Sequence, residues 1–371
     1  MKLAIVGCGF VADFYVRTLP NHPNLELVGV MDINSERARK FSKHFSLPLF
    51  QSLEELLQNS GADLILNLTN PRSHYVVSRA CLEAGKHVYS EKPLSMVYEE
   101  AQHLVEMAEK RGLSLSSAPC NVLSESAQTV WKALRDKLIG PVRLVYAEMD
   151  DGLIHKMNYQ NWIGESGAPW PSIDEFEVGC TLEHAGYYVT WLVAFFGQVK
   201  TVTSFASCQI PNKETSEPIA HMAPDFSVAC LQFSSGVVAR LTCSIIAPHD
   251  HHLKIFGDDG ILSIEDCWNY GSPVHLTRKF FRRFSWTRKL PLVKQANFKH
   301  CYKGSHRADV CRGVAEMVSA IEENHDGRLS ARFALHVNEV VLAIQNPDVL
   351  KTPYQVKSTV PPMAPMPWAM P

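Results

Sequence analysis

Short apolar runs alternate with amphipathic stretches through the first third of the chain, and that alternation predicts repeating strand–helix units. Leu3-Ala4-Ile5-Val6 reads as a buried strand that stops abruptly at Gly7-Cys8-Gly9-Phe10-Val11-Ala12, a tight turn opening a helix. Leu25 to Met31, Asp63 to Leu68, Lys86 to Tyr89 and Leu113 to Ser117 repeat the strand pattern. Between them, Ser35 to Phe41, Leu53 to Leu57, Val76 to Ala84 and Val97 to Arg111 read as helices. Gly85 and Gly112 close the last two, as glycine does where a helix must turn off. Strands alternating with helices imply a parallel, doubly wound sheet.

The pattern changes near residue 121. A helix over Ser124 to Leu138 ends at Gly140-Pro141, a strand begins at Val142, and the aromatic, apolar stretch Val178 to Phe196 reads as a helix closed by Gly197. Val199 to Ser207, Ser227 to Phe233, Val237 to Ile246, His252 to Gly257 and Gly260 to Glu265 are short and separated by turn signals, which predicts an antiparallel meander. Helices over His306 to Ile321 and Phe333 to Gln345 follow, and a Pro- and Met-rich end without periodicity reads as an extended arm or a disordered end. The expected organisation is a dinucleotide-binding domain over 1–121, a substrate-binding and oligomerisation domain over 122–351, and an arm over 352–371. The first is α/β and the second α+β with an open, mainly antiparallel sheet.

Composition narrows the function classes. With 371 residues, 46% hydrophobic and 20% charged, the chain is ordinary globular material. A formal net charge of −2 gives no global attraction to nucleic acid or membrane. Ten cysteines occur without a C-x-x-C pair, so reduced thiols in a cytoplasmic protein are expected. The apolar start breaks at Gly7 without a cleavage site, unlike a signal peptide, and the apolar run Tyr187 to Phe196 is too short to span a membrane.

Candidate chemistry gathers at strand ends. Gly7 suits the tight turn, Gly9 allows close backbone approach to a pyrophosphate, and the exposed N–H groups at Phe10 and Val11 would hold it. Asp32, ending the second strand, is placed to accept hydrogen bonds from a ribose, although a helix cap is the competing reading. Thr69, Asn70 and His74 follow the third strand and lie along the cofactor's path, His74 reading equally well as a helix-face residue. Glu91 and Lys92 follow the fourth, where a lysine held by Pro93 can orient a hydroxyl and share in its proton transfer, or form a structural ion pair. Glu183 and Tyr187 lie four apart on one helical face, able to bind a hydroxyl and accept its proton, although a core helix with one buried glutamate fits the same composition. His184 is a rival acid/base and a candidate substrate-contacting residue, pointing about 100° away from Glu183 on a helix. No metal is expected.

The Gly7-Cys8-Gly9-Phe10-Val11-Ala12 turn, Thr69-Asn70-Pro71 with His74, and Glu91-Lys92-Pro93 at these spacings resemble the glucose-fructose oxidoreductase/inositol dehydrogenase (Gfo/Idh/MocA) family. The resemblance runs from Met1 to about Lys351. It implies an NAD(P)-dependent oxidoreductase acting on a secondary alcohol of a sugar, sugar derivative or cyclitol, with Lys92 beside nicotinamide and carbinol and Asn121 near the nicotinamide amide. It also implies a homodimer or homotetramer. Many members carry aspartate, glycine and histidine where this chain has Glu183, Ala185 and Tyr187; tyrosine occurs in some relatives, while the other two departures are less usual. The expected catalytic set is Lys92, Tyr187 and Glu183. NAD is the expected cofactor because Asp32 repels a 2′-phosphate, with NADP possible if Arg37 or Arg39 swings across. A redox-neutral NAD-dependent glycoside hydrolase and a non-catalytic regulator, like the galactose-pathway co-repressor of yeasts, are the other readings the resemblance allows. Retention of Glu91-Lys92-Pro93 argues against the regulator.

One stretch stands apart. Residues 278–303 carry nine Lys and Arg, within a span from Cys267 to Ala308 free of Asp and Glu. Helical geometry over Arg278 to Phe284 would gather phenylalanines on one side and cations on the other. The readings are a solvated or subunit-covered loop, contact with an anionic membrane surface, and capture of an anionic substrate group by Arg282 and Arg283, the last slightly preferred over the membrane. Nucleic acid is the least favoured partner.

Overall fold

The computed structural model describes residues 1–215, 218–219, 221–280, 284–301 and 307–370. The first sheet is built from β1 (Lys2–Val6), β2 (Glu26–Met31), β3 (Leu64–Asn67), β4 (His87–Ser90) and β5 (Leu115–Ser117), in the order β2-β1-β3-β4-β5 and parallel throughout. Both faces of β3 are buried, as a continuous apolar run requires. The layers above and below are α1 (Phe10–Thr18), α2 (Ser35–Phe45), α3 (Leu53–Asn59), α4 (His74–Glu83) and α5 (Tyr98–Arg111). Asn34 and Ser52 accept first-turn N–H groups and so fix the starts of α2 and α3.

The second sheet has nine strands in the order β13-β12-β11-β10-β6-β9-β8-β7-β14. Its members are β6 (Val142–Asp150), β7 (Val199–Ser207), β8 (Phe226–Phe233), β9 (Val238–Ser244), β10 (Leu253–Gly257), β11 (Gly260–Ile264), β12 (Val274–Phe280), β13 (Phe284–Leu290) and β14 (Tyr354–Gln355). It departs from a simple meander in one respect: β6 enters between β10 and β9 and runs parallel to β9. The ends of β6 and β9 therefore lie side by side. Helices α6 (Glu125–Arg135), α7 (Ser172–Val178) and α8 (Gly186–Phe196) lie in this half, where Tyr188, Trp191 and Leu192 of α8 pack with Val145, Leu231 and Phe233.

Two late helices join the halves. On α9 (Cys311–Glu322), Cys311, Val314, Met317 and Val318 complete the first sheet's core with Leu3, Ile5 and Tyr15. Gly313 allows that approach, because a Cβ there would stand 2.3 Å from Tyr89 Oη. On α10 (Ala331–Gln345), Ala334 and Leu335 face Leu104 and Leu115, while Val337, Val340 and Ile344 face the second core. This helix is buried on both sides, and its buried polar residues His336, Asn338, Glu339 and Gln345 are hydrogen-bonded. The last residues cross the surface as an extended arm: Glu339 accepts N–H bonds from Lys357 and Ser358, each at 2.8 Å, and Arg135 donates to Ala369 O at 2.6 Å.

The helix expected over Arg278 to Phe284 is corrected. Arg278 to Phe280 lie in β12 and Phe284 in β13, which pair antiparallel from Val274↔Leu290 to Phe280↔Phe284. Val274 and Leu276 are buried while His275 and Thr277 are half-buried, a period of two that the run of cations obscures. Arg282 and Arg283 lie outside the described residues. Among those described, no helix is long and apolar enough to cross a membrane.

Candidate active site

A cavity of about 940 Å³ runs from the carboxyl ends of the parallel strands to the end of β6 and the segment that leads into β10. At its nucleotide end, Gly7 has φ +98°, and a Cβ there would stand 2.5 Å from Leu68 O; a Cβ on Gly9 would meet nothing within 4 Å, so Gly9 borders open space. The helix α1 begins at Phe10 with no side-chain cap, which leaves its first N–H groups turned toward the cavity that Gly9, Phe10 and Val11 line. This is a cradle of the size and polarity a pyrophosphate needs, and the residues present fit a nicotinamide dinucleotide.

Asp32 stands at the cavity wall with its acceptor positions already engaged. Oδ2 accepts from Cys8 N–H at 2.7 Å and Arg37 Nε at 2.9 Å; Oδ1 accepts from Asn34 N–H at 2.7 Å and the Arg37 guanidinium at 2.9 Å. Arg37 itself lines the cavity and is held charged chiefly by that hydrogen bonding to Asp32.

Thr69 and Asn70 line the cavity after β3. Thr69 Oγ1 donates to Asn67 Oδ1 at 2.7 Å, and Asn70 Oδ1 accepts from Ser73 N–H at 3.2 Å. His74 does not reach the wall. It is fully buried, with Nδ1 2.6 Å from Pro93 O and Nε2 3.0 Å from Thr69 O, and burial outweighs those carbonyls to lower its pKa. It braces the two loops that form the wall. Glu91 is likewise an anchor that borders the cavity: Oε1 accepts from Tyr15 O–H at 2.7 Å and Oε2 from Lys92 N–H at 3.1 Å. Asn121 lines the cavity with its Oδ1 buried and without a hydrogen-bond partner, an acceptor available to a bound amide.

Lys92 Nζ bonds the Glu183 carboxylate, joining the loop after β4 to the turn before α8. Burial alone would lower the lysine's pKa, but Glu183, Tyr187 and Glu91 reverse the sign and hold it above the ordinary value. Burial raises the Tyr187 phenol, with Lys92 opposing, so the phenol is neutral. Residues Thr181–Ala185 form a π-helical turn, and this wider winding lets Glu183, His184 and Tyr187 all border the cavity. His184 is therefore placed at the site. It is ion-paired through Nδ1 to Asp151 at 2.6 Å and through Nε2 to Glu175 at 2.9 Å, and these two carboxylates raise its pKa against the opposing effect of burial.

Several wall residues carried no sequence signal that singled them out: Tyr15, Asp151, Glu175, His249, Trp268 and Tyr270. Trp268 packs edge-on against Tyr187 at 5.4 Å between ring centroids and against His251 at 4.4 Å. Trp162 and Trp170 face the same space from the segment before α7. That segment is a strap tied to the nucleotide half. Asp13 accepts from Ser166 N–H at 3.1 Å, Arg17 pairs with Glu165, and Arg72 pairs with Glu177 at 2.7 Å.

Residues 1–118 match the oxidoreductase family with an NAD-binding Rossmann fold, and residues 127–263 match the GFO/IDH/MocA C-terminal domain. Among curated relatives, trans-1,2-dihydrobenzene-1,2-diol dehydrogenase of Mus musculus is 25% identical over 271 residues, covering 72% of this chain and 75% of its own. The scyllo-inositol 2-dehydrogenase (NADP(+)) of Bacillus subtilis is 23% identical, covering 61% of this chain and 60% of its own. Among solved structures, an NAD-binding oxidoreductase from Klebsiella pneumoniae superposes with a TM-score of 0.78 at 19% identity, over 96% of this chain and 99% of that one. UDP-N-acetylglucosamine 3-dehydrogenase from Acidithiobacillus ferrooxidans superposes at 0.70 with 18% identity, over 93% and 96%.

Proposed function

This chain belongs to the GFO/IDH/MocA oxidoreductase family, and from that premise we propose that it transfers hydride reversibly between NAD(P) and a secondary alcohol of an uncharged, ring-shaped polyol or vicinal diol. The observation that carries the reading is the Lys92–Glu183 pair with Tyr187 beside it, at the junction of a dinucleotide cradle and an aromatic chamber. Sugar-like and dihydrodiol substrates in the names of the relatives agree with it.

Held by Gly7, Gly9, Phe10 and Val11 at the pyrophosphate and with Asn121 beside the amide, a nicotinamide dinucleotide would supply the hydride acceptor in oxidation and the hydride donor in reduction. The residues of the chain handle the proton. In reduction, the Lys92 ammonium hydrogen-bonds the carbonyl oxygen, stabilises the charge that develops there, and donates the proton. In oxidation, the hydroxyl proton moves to Lys92 as Lys92 passes one to Glu183, so the pair exchanges the proton as a unit. Tyr187 donates to the same oxygen and fixes its position.

The chamber supports an uncharged substrate. Asp151, Asp174, Glu175 and Glu183 line it, and the cations at the wall, Lys92, Arg37 and the His184 imidazolium, are paired with carboxylates. Trp162, Trp170 and Trp268 offer flat apolar faces, which suit the C–H face of a ring. The basic 278–303 segment contributes no described side chain to this wall.

The test is net NADH formation with a panel of cyclitols, free sugars, sugar acids, nucleotide sugars and cyclic vicinal diols. An uncharged ring substrate should produce it. A redox-neutral glycoside hydrolase would cleave glycosides with no net NADH, and a regulator would do neither.

A further inference from the structure

Two strand ends meet at the chamber end of the cavity, and they carry a second set of donors. Asp150 and Asp250 form an antiparallel bridge, Asp150 N–H donating to Asp250 O at 3.0 Å and Asp250 N–H to Asp150 O at 2.9 Å. One step along an antiparallel register sets Asp151 opposite His249, and residues two apart on extended chain share a face, which adds His251. The three converge accordingly: each offers one ligand atom, and these atoms lie within 4.8 Å of one another. Donors sharing one ion at about 2.0–2.2 Å each lie no more than roughly 4.4 Å apart. A small turn of His249, the exposed member, closes the set.

The ligands are oriented from behind. Two of the donors, His251 Nε2 and Asp151 Oδ1, lie 2.6 Å apart in a mutual contact that a shared ion would replace, while behind them His251 Nδ1 faces Asp266 at 3.4 Å and Asp151 Oδ2 faces His184 at 2.6 Å. Carboxylate and imidazole partners of this kind fix the tautomer and direction of metal ligands. The carboxylates Asp151, Glu175 and Asp266 also outnumber the imidazoles bonded to them, His184 and His251, so a dication is electrostatically favoured there. Asp151 and His249 border the cavity, which leaves the open side of the set toward the substrate.

We propose that Asp151, His249 and His251 bind a divalent first-row ion, zinc or manganese, whose open positions take vicinal hydroxyl oxygens of the substrate. Three nitrogen and oxygen ligands with a vacant side suit such ions. The role toward substrate rests on the oxidoreductase reading; the binding of the ion does not.

Chelator-treated full-length protein, with NAD bound, is titrated with Co²⁺ followed by its visible absorbance, and with Zn²⁺ and Mn²⁺ by calorimetry. Saturation at about one ion per chain is expected, and His249→Gln should weaken it at least about tenfold. Unchanged NAD affinity shows that the variant is folded, and Asp151→Asn is measured in parallel. Absence of saturable binding, or equal affinity in a folded His249→Gln protein, overturns the site. Binding of the ion without any net NADH formation from the substrate panel keeps the site and rejects the oxidoreductase reading; turnover by protein that binds no ion does the reverse.

Discussion

Lys92 and Glu183 form an ion pair that ties the end of β4 to the π-helical turn before α8, with side chains 19% and 11% exposed. Removing the carboxylate removes the strongest of the charges that hold the lysine's pKa up, and burial, which opposes them, remains. In the reduction direction Lys92 must be protonated, so activity falls as pH rises through its pKa. Glu183→Gln should therefore shift the alkaline limb of kcat/KM to lower pH and reduce kcat by about 10²-fold, within the usual range for acid–base groups. A pH–rate profile checks both, and an unmoved limb would contradict the coupling.

The strap over the cofactor path depends on a missing side chain. A Cβ on Gly164 would stand 2.3 Å from Asp13 Oδ2 and 3.4 Å from Ala168 O. Gly164→Ala should lift the strap off α1 and speed NADH dissociation by at least about fivefold, one such contact being worth about 1 kcal/mol or more. Stopped-flow nicotinamide fluorescence reads the rate, and an unchanged rate would mean that the strap does not gate release.

Arg37 fills the face of Asp32 that a ribose hydroxyl would use. Arg37→Ala frees that carboxylate and removes a partner for a 2′-phosphate, so the ratio of NAD to NADP affinity should rise by about tenfold or more, the scale of one charge-assisted bond. Calorimetric titration with both cofactors measures it. A ratio that falls would assign Arg37 to NAD.

His336 pins the arm in its neutral form. Its Nε2 accepts from Val199 N–H at 3.0 Å and its Nδ1 meets Ser358 Oγ at 2.8 Å. Burial lowers its pKa from 6.5 to about 4. As pH falls, the unfolded chain takes up the proton first, so stability is lost between pH 6.5 and about 4, by roughly 3 kcal/mol in all. Denaturant unfolding at about pH 7 and pH 5 should show a loss in the wild type that is smaller in His336→Gln. Equal losses would remove His336 from the account.

Much of the nucleotide half was legible in the sequence, because each strand of a parallel sheet is a compact apolar run and each functional group follows one. That rule singles out Gly7, Gly9, Asp32 and Lys92, and the family resemblance adds Asn121; all five line the cavity. His74 satisfied the same rule yet is a buried brace, since position in sequence does not tell which side of a loop faces the cavity. His184, a substrate candidate that an ideal helix would set about 100° from Glu183, shares the wall with it through a π-helical turn that has no signature in composition. Asp151 and His249 become neighbours only because β6 pairs antiparallel with β10 and the Asp150–Asp250 bridge extends that pairing, a contact across a long stretch of chain that local periodicity cannot register. The cations of 278–284 imitated an amphipathic helix because a short window fits periods of two and 3.6 almost equally.

The central claim is hydride transfer at a carbinol held by Lys92, Glu183 and Tyr187. A substrate that forms NADH is prepared with deuterium on its carbinol carbon and followed through a single turnover by mass spectrometry of the nicotinamide. The wild type should deliver the deuterium to the nicotinamide ring, and Lys92→Met, with NAD affinity within a few-fold of wild type, should deliver essentially none. Deuterium retained in the substrate by the wild type, or transferred at an unchanged rate by the Lys92→Met protein, would contradict the account.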